Sequence, residues 1–196
     1  MNKNEFYAQK NWISPKITIR VSPDKGNGMF AVEKIAEGEE LVIWGEGYTD
    51  SNDAKEAIGK GKLFMQWDNN LFSVEDGSDS PAYCINHSCD SNTWMKGSYS
   101  LIARHSIEAG EEVMADYALW ESDENYISKW ECKCTSSVCR NLVTGKDWLL
   151  PELQRRYKDH FSPLINKRIA AILRDRLKSG YQARSERDRK IAEEWF

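Results

Sequence analysis

Short stretches with the patterning of β-strands follow one another through much of the chain. Polar and apolar residues alternate over residues 16–21, with the two-residue period of a half-buried strand. Further strands are predicted at residues 29–32, 41–44, 63–67, 71–74 and 99–103. Residues that favour turns, such as Gly, Asn and Asp, separate many of these stretches. Many short strands and few long helices indicate a mainly β fold.

Helices are predicted in the middle of the chain and near its C-terminal end. Asn52 or Asp53 caps a short helix that reaches Lys60. Pro151 lies in the first turn of another helix, which stops before Pro163. A last helix carries an apolar face that we expect to pack on the β-rich body, formed by Ile165, Ile169, Ile172, Leu173 and Leu177.

Two distant segments have almost the same sequence. Residues 35–40 read Ile-Ala-Glu-Gly-Glu-Glu, and residues 107–112 read Ile-Glu-Ala-Gly-Glu-Glu. Each predicts a buried Ile anchor, a turn that needs glycine, and the start of a strand. Two copies so far apart do not make a solenoid, which needs contiguous repeats.

Composition and charge narrow the class of protein. A chain of 196 residues, 40% hydrophobic, suits one globular domain with an appendage. A net charge of −4 argues against direct nucleic-acid binding, which needs a basic face, and suits a cationic partner better. The sequence begins without the apolar run of a signal peptide and has no apolar stretch that could span a membrane. We therefore expect an intracellular protein without a membrane partner, in the cytoplasm or, in a eukaryote, the nucleus.

The cysteines indicate a metal site. Three of the five lie close together in the spacing Cys132-x-Cys134-x4-Cys139. In a reducing compartment, such crowding favours metal binding over disulfides. A structural zinc ion normally takes four protein ligands, so a fourth must come from elsewhere in the chain.

Three further motifs are rich in residues that carry chemistry. Residues 85–92 read Ile-Asn-His-Ser-Cys-Asp-Ser-Asn, which fits either a solvated turn or a site that holds amides, an imidazole and a thiol together. Residues 26–28 read Gly-Asn-Gly, which by itself favours a hairpin turn. Residues 110–117 begin Gly-Glu-Glu and end Asp-Tyr. Each motif is ambiguous alone, and their order along the chain is the stronger signal.

In that order, the motifs resemble the SET-domain protein-lysine methyltransferases, whose pattern runs GxG, NHSCxxN, GEE…DY and CxCxxxxC. The resemblance covers about residues 17–142. It implies a mainly β, SET-type fold of small sheets with a knot-like C-terminal substructure, a zinc-bound post-SET segment and C-terminal helices. The expected division is a lead-in at residues 1–16, a SET domain at 17–120 with a variable insert at about 48–80, the post-SET segment at 121–148 and a helical extension at 149–196.

The resemblance also implies roles for individual residues. Tyr117 matches the family's catalytic tyrosine, and Cys89 is the natural fourth ligand of a structural zinc ion held with Cys132, Cys134 and Cys139. The expected S-adenosylmethionine site comprises Gly26, Asn27, Gly28, Met29, Asn86, His87, Tyr117 and Leu142. The remaining cysteine, Cys84, is expected to be a small buried thiol.

Lysine methylation needs a neutral amine. Deprotonating an ordinary lysine at pH 7 costs roughly 4 to 5 kcal/mol, because its pKa is about 10.4. An apolar channel lowers that cost by disfavouring the charged form. Candidates for such a substrate channel are Phe64, Trp67, Phe72, Ala115 and Trp120. Ala115 stands where the family usually has Phe or Tyr, and we hypothesise that this small side chain leaves room for higher methylation.

The sequence therefore predicts an S-adenosylmethionine-dependent enzyme that methylates a lysine in a protein or peptide, with a histone-like basic tail as one candidate substrate. The alternative is a non-catalytic binding module that keeps the SET fold, zinc and cofactor. Retention of Tyr117 and of the pair Asn86 and His87 favours the enzyme. A pKa near 10 makes a tyrosine a poor base at neutral pH. We therefore expect Tyr117 to have a positioning and polarising role and not to act as a general base.

Overall fold

The structure is a computed structural model that describes residues 11–23, 25–45, 48–60, 63–75, 80–178 and 195. Most of the predicted lead-in lies outside these residues, as does segment 184–190, for which the charge pattern predicts a solvated helix or tail. None of the described helices is both long enough and apolar enough to cross a membrane.

The described part of the chain is mainly β, as the sequence predicts. Its strands are β1 (Trp12–Ile13), β2 (Ile17–Ser22), β3 (Gly26–Ala31), β4 (Glu40–Ile43), β5 (Tyr48–Thr49), β6 (Leu63–Asp68), β7 (Leu71–Glu75), β8 (Asn86–His87), β9 (Thr93–Lys96), β10 (Ser100–Ala103) and β11 (Glu112–Ala115). Its α-helices are α1 (Ser51–Gly59), α2 (Pro151–Arg156) and α3 (Pro163–Lys178). Short 3-10 helices span Pro81–Tyr83, Tyr117–Leu119 and Asp147–Leu149.

The strands form three small sheets. One has the order β1-β4-β10-β9, and another has the order β5-β7-β6; both are antiparallel throughout. The remaining sheet has the order β2-β3-β11-β8, and its β8–β11 pair is parallel. This last sheet therefore joins the Gly-Asn-Gly segment, the Asn-His pair and the strand that leads to Tyr117. The knot-like substructure that the resemblance implies stays a prediction.

Differences from the predicted elements have local physical causes. Residues 26–28 begin strand β3 instead of forming the turn, to which Pro23 and Lys25 belong. Helix α1 is capped by Asp50, whose carboxylate accepts from the N–H groups of Asn52 and Asp53 at 2.8 and 3.2 Å. Strands β1, β5 and β8 have only two residues each, too few to show a period in the sequence.

The C-terminal helices pack on the β-rich body. Helix α2 ends at Arg156, earlier than predicted, because the chain turns at Asp159 with φ of 65°. Ser162 precedes Pro163 and its hydroxyl accepts from the N–H of Ile165 at 3.4 Å, an N-cap with proline in the first turn. The predicted apolar face is confirmed at Ile165, Ile169 and Leu173, which join the main hydrophobic core.

The two similar segments form matching turns that meet each other. Ile35 and Ile107, both fully buried, exchange backbone hydrogen bonds of 2.9 and 3.0 Å. In each turn, a glutamate carboxylate accepts a hydrogen bond from the backbone N–H three residues earlier. The N···O distance is 2.6 Å for Glu39 and 2.7 Å for Glu111. The prediction of an Ile anchor and a glycine turn is therefore confirmed in both copies.

The glycine of the first turn is required by its backbone conformation and not by crowding. Gly38 has φ of 81°, and a Cβ built there would meet nothing within 4 Å. We expect Gly38→Ala to lower the free energy of unfolding by about 1 kcal/mol, because L-residues disfavour the left-handed region. Gly38→Asn is the matched control. Its free energy of unfolding should fall by less than that of Gly38→Ala, since Asn tolerates the left-handed region better. Urea unfolding of the three proteins measures the order, and equal losses for Ala and Asn would contradict the explanation.

Candidate active site

A cleft of about 640 Å³ collects residues from several motifs that are far apart in the sequence. Asn86 and His87 come from β8, and Tyr117 follows β11. Pro23 and Lys25 come from the turn before β3, and residues 121–148, the predicted post-SET segment, supply Trp130, Glu131, Cys132 and Lys133. The volume is within the range typical of small-molecule sites.

The Asn-His-Ser-Cys stretch is an internal part of the fold. His87, Ser88, Cys89 and Ser91 are all buried, which excludes the solvated turn. Strand β8 pairs with β11 so that Asn86 lies beside Met114 and His87 beside Ala115. The side chain of Asn92 then bonds to β11 at both ends of its amide, donating to the carbonyl of Glu112 and accepting from the N–H of Met114, each at 2.8 Å. The side chain of Asn92, the final Asn of the motif, therefore makes the kind of hydrogen bonds with β11 that a paired strand would make.

Close approach of strands explains the second glycine of Gly-Asn-Gly. A Cβ on Gly28 would lie 2.6 Å from Oε1 of Glu112 and 2.7 Å from Nδ2 of Asn86. The Asn86 amide donates to that same carboxylate at 2.7 Å and to the carbonyl of Asn27 at 3.2 Å. Lys25 Nζ lies 3.5 Å from Glu112. Gly28 therefore lets polar groups from three strands meet at one wall of the cleft.

Tyr117 lies at the bottom of this arrangement with its hydroxyl bound. The hydroxyl donates to the carbonyl of Ile85 at 2.9 Å. Its ring lies among those of His87, Trp120 and Trp130, with centroids 5.1, 5.6 and 6.3 Å away. Burial raises the pKa of Tyr117 well above its ordinary value, so the phenol is protonated at neutral pH. This environment suits a positioning group better than a base.

The imidazole of His87 connects Tyr117 with a cysteine. Its Nδ1 accepts from the backbone N–H of Tyr117 at 3.2 Å, and its Nε2 lies 3.3 Å from Sγ of Cys89. An acceptor at Nδ1 leaves the ring proton on Nε2, which then donates to sulfur. Burial, with a smaller contribution from the positive charge of Arg140, lowers the pKa of His87 to about 3, so the ring is neutral.

Four cysteines converge beside the cleft. The sulfur atoms of Cys89, Cys132, Cys134 and Cys139 all lie within 4.8 Å of one another, and those of Cys89 and Cys132 are 3.8 Å apart. Sulfurs bound tetrahedrally to zinc at about 2.3 Å would be separated by roughly 3.8 Å. The donor set and its spacing therefore suit a closed structural zinc site. Cys84 is buried outside this four-cysteine cluster.

The electrostatics of the cluster differ among its thiols. Burial raises the pKa of Cys132 to about 11 and raises that of Cys89 further. Burial also acts to raise the pKa of Cys134, but hydrogen bonds from the backbone N–H groups of Ser136 and Cys89 outweigh it and lower the pKa to about 7. The N–H of Arg140 donates to Sγ of Cys89 at 3.3 Å. Because metal ligation requires thiolates, binding would release protons from the buried thiols.

A buried ion-pair network ties the post-SET segment to the residue before Tyr117. The guanidinium of Arg140 donates twice to the fully buried carboxylate of Asp116, at 2.6 and 2.8 Å, and once to Asp147 at 2.8 Å. Asp116 also accepts from the hydroxyl of Tyr157 at 3.3 Å and from the N–H of Ala118 at 3.0 Å. Every oxygen of this buried carboxylate therefore has a partner.

Comparisons with known proteins agree with this geometry. Residues 26–118 match the family model of the SET domain. Among solved structures, the methyltransferase domain of human histone-lysine N-methyltransferase SETMAR is similar in fold, with a TM-score of 0.55 and 16% sequence identity. That similarity covers 67% of this chain and 58% of the other chain, and the comparison with curated proteins found no match.

The match and the structural similarity confirm the predicted SET-type fold, and the structure locates most of the predicted site residues. Asn86, His87 and Tyr117 line the cleft, while Met29 is fully buried in the core below it. Gly26 and Asn27 lie at the exposed start of β3, next to the cleft-lining Lys25. Leu142 is 45% exposed and does not line the cleft.

The predicted channel residues are spread over different environments. Trp120 packs beside Tyr117, and Ala115 is fully buried next to His87 in the sheet. Trp67 is in the core, with its ring 5.5 Å from that of Trp44. Phe72 lines a second cleft of about 540 Å³, formed between the predicted insert and residues 122–125. The side chain of Phe64 lies outside the described residues.

Sequence reasoning missed several residues that the SET domain and its post-SET segment bring together. Trp130 is 42% exposed and faces the cleft, and its place two residues before Cys132 was the available signal. Lys25, Glu112, Arg140 and Asp147 were not assigned roles at the site, because charged residues at such positions are common on surfaces. Only their partners in the structure reveal what they do.

The Arg140 network should contribute strongly to stability. We expect Arg140→Met to lower the free energy of unfolding by about 3 to 5 kcal/mol, because it leaves the carboxylate of Asp116 buried and uncompensated. Arg140→Lys should lower the free energy of unfolding by less, because lysine keeps the positive charge. It should still be destabilising, because lysine cannot make the bidentate contact. The control is Lys34→Met, which removes the exposed Lys34–Glu108 pair and should change little. Urea unfolding in zinc-containing buffer measures all three, and equal effects at positions 34 and 140 would contradict the assignment.

Proposed function

We propose that this protein transfers a methyl group from S-adenosylmethionine to a lysine side chain of a protein or peptide. The observation that carries the proposal is one cleft lined by Asn86, His87 and Tyr117 and bordered by the four-cysteine cluster. These are the residues that match the family's cofactor, catalytic and zinc motifs. A SET domain with this complete set is better suited to catalysis than to binding alone.

The lining of the cleft is suited to S-adenosylmethionine. The cofactor supplies an electrophilic methyl group on a sulfonium. Lys25 and Lys133 provide positive charge where a carboxylate could bind, and Asn86 provides an amide. Trp130 presents a partly exposed indole on which an adenine could stack. We therefore add Trp130 to the proposed cofactor site and assign the four cysteines to a structural zinc ion.

Tyr117 is proposed to orient the substrate amine and not to deprotonate it. Its raised pKa keeps the phenol protonated, and the bond to Ile85 fixes the direction of its O–H. The oxygen keeps lone pairs that can accept a hydrogen bond from an amine. The rings of Trp120 and Trp130 flank it and limit water, which disfavours the charged form of a lysine.

The substrate is proposed to be a protein with basic residues around the target lysine, such as a histone-like tail. The net charge of −4 supports a cationic partner. Asp123 and Glu124 line the second cleft, next to the predicted variable insert, and could contact residues that flank the lysine. Lys55, Lys146 and Arg168 line the same cleft, so it also offers contacts to acidic or polar groups.

Transfer of radiolabelled methyl from S-adenosylmethionine tests this function. Core histones and a whole-cell protein extract serve as separate acceptor pools, and zinc content is measured in every protein. We expect lysine-specific labelling by the wild type and a loss of about 100-fold or more in Tyr117→Phe, as when a preorganised polar group is removed from an active site.

The matched control for this assay is Tyr48→Phe. Tyr48 is a half-buried tyrosine outside the cleft whose hydroxyl also donates to a backbone carbonyl, that of Trp44 at 2.7 Å. This variant should label like the wild type. Cofactor binding with no labelling above Tyr117→Phe in either pool would instead favour the non-catalytic binding module.

Cofactor affinity distinguishes Trp130 from Leu142 as the residue that packs on the adenine. Both side chains are exposed to a similar degree, 42% and 45%, so truncation should perturb folding similarly. We expect Trp130→Ala to weaken S-adenosylmethionine binding by about tenfold, since stacking on a base contributes about 1 to 3 kcal/mol. Leu142→Ala should bind like the wild type. Calorimetry measures both, and the reverse order would support the assignment from the sequence.

A further inference from the structure

The side chain of His87 has no free polar atom with which to bind a ligand. It is only 2% exposed, although the residue borders the cleft. Its Nδ1 already accepts from the N–H of Tyr117, and its Nε2 lies against Sγ of Cys89. A cofactor that reaches this residue would therefore meet its backbone or ring edge and not an available ring nitrogen.

The two contacts of the ring join the two chemically distinct parts of the site. Cys89 belongs to the four-cysteine cluster, and Tyr117 is the proposed catalytic residue. Strand β8 holds the ring in place because His87 pairs with Ala115, two residues before Tyr117. The ring also packs on Tyr117 and Trp130, with centroids 5.1 and 5.7 Å away. Its orientation is therefore fixed on several sides.

The direction of both hydrogen bonds follows from the chemistry of the partners. A backbone N–H can only donate, so Nδ1 must be the unprotonated nitrogen. Nε2 then carries the proton and donates to Cys89, where a metal-bound thiolate would be a strong acceptor. Sγ of Cys89 receives a second donor, the N–H of Arg140 at 3.3 Å. The ring would thus stabilise negative charge on a metal-bound sulfur, and its other nitrogen accepts the hydrogen bond from the Tyr117 backbone.

We propose that His87 is a positioning residue that links the four-cysteine cluster to Tyr117, so that occupancy of the metal site and alignment of the phenol depend on one imidazole. This inference rests on the proposed function for its catalytic side only. The metal side stands on the contact between His87 and Cys89 and can be tested in the absence of any turnover.

Two substitutions separate positioning from packing. His87→Phe keeps a planar ring but removes both hydrogen bonds. His87→Gln keeps a carboxamide that has an acceptor and a donor side by side, as the neutral imidazole does. The matched controls are His160→Phe and His160→Gln, because the His160 ring is also packed, stacked on Trp94 at 3.6 Å, but lies outside the cleft.

The first readout is zinc affinity, measured by competition with a chromogenic chelator. Loss of a hydrogen bond to a metal-bound ligand typically costs about 10- to 100-fold in metal affinity. We expect that loss in His87→Phe and a partial recovery in His87→Gln, with both His160 variants like the wild type. Equal affinity in His87→Phe and the wild type would overturn the metal side of the proposal, whether or not the protein methylates lysine.

The second readout separates turnover from cofactor binding in the zinc-saturated proteins. We expect His87→Phe to lower kcat by about tenfold or more while the Kd for S-adenosylmethionine stays within about threefold of the wild type, and His87→Gln to recover part of kcat. A change confined to the Kd would show instead that the side chain binds the cofactor. Equal kcat values for His87→Phe and the wild type would also overturn the proposal.

A third readout keeps the proposal testable if His87→Phe fails to fold. Nitrogen-15 spectra of the His87 ring in the wild type report which nitrogen carries the proton. We expect an unprotonated Nδ1 and a protonated Nε2, with the Nε2 signal shifting when zinc is added. Protonation at Nδ1 would exclude the hydrogen bond from Tyr117 and with it the proposed connection.

Discussion

The parallel pairing of β8 with β11 is the constraint on which the site depends. The pair contains only two residues of β8, yet it lies at the edge of the sheet where Asn86 and His87 meet the strand that leads into Asp116 and Tyr117. So short a pair has little stability of its own. The amide of Asn92 extends it by bonding to β11, and the backbone N–H of Ser88 adds a bond to the carbonyl of Ala115 at 3.0 Å. These additional hydrogen bonds therefore compensate for the shortness of the β8–β11 pair.

Polar contacts join the predicted post-SET segment to the rest of the fold. Arg140 reaches the buried carboxylate of Asp116, and Cys89 joins the three cysteines of the segment. Gly145 lets the chain pass close to Asp123, because a Cβ there would collide with that residue's carbonyl oxygen. Few side chains of this segment are deeply buried, so its order depends on the ion-pair network and would depend further on a metal ion held by the four cysteines.

Charged side chains lie at or beside the cleft, while two of its central residues are uncharged. The carboxylate of Asp116 is paired with the guanidinium of Arg140, and the backbone N–H of Arg140 donates to Sγ of Cys89. Lys25 and Lys133 also line the cleft, where they could attract a ligand carboxylate. Buried Tyr117 and His87 are both uncharged at neutral pH. The centre of the site is therefore uncharged, and its burial would favour the neutral amine of the proposed lysine substrate.

The sequence by itself determined the features that depend on local pattern or on residue type. The two-residue period predicted β2, the apolar spacing predicted the buried face of α3 at Ile165, Ile169 and Leu173, and turn chemistry predicted the two glutamate-glycine turns. The order of the motifs also predicted the SET-type fold, through its resemblance to the SET-domain methyltransferases. These signals extend over a few neighbouring residues, so they can be recognised without knowing where the chain goes next.

Only the tertiary structure decided which residues from distant parts of the chain meet. It brought Trp130, and not Leu142, to the cleft, dispersed the aromatic residues predicted to form a channel, and joined Arg140 to Asp116 and Asp147. In the folded protein, both ring nitrogens of His87 have partners, Sγ of Cys89 and the backbone N–H of Tyr117. The reason is physical: a side chain's hydrogen-bonding partners and burial are set by the packing of sheets and loops, and no local period in the sequence encodes that packing.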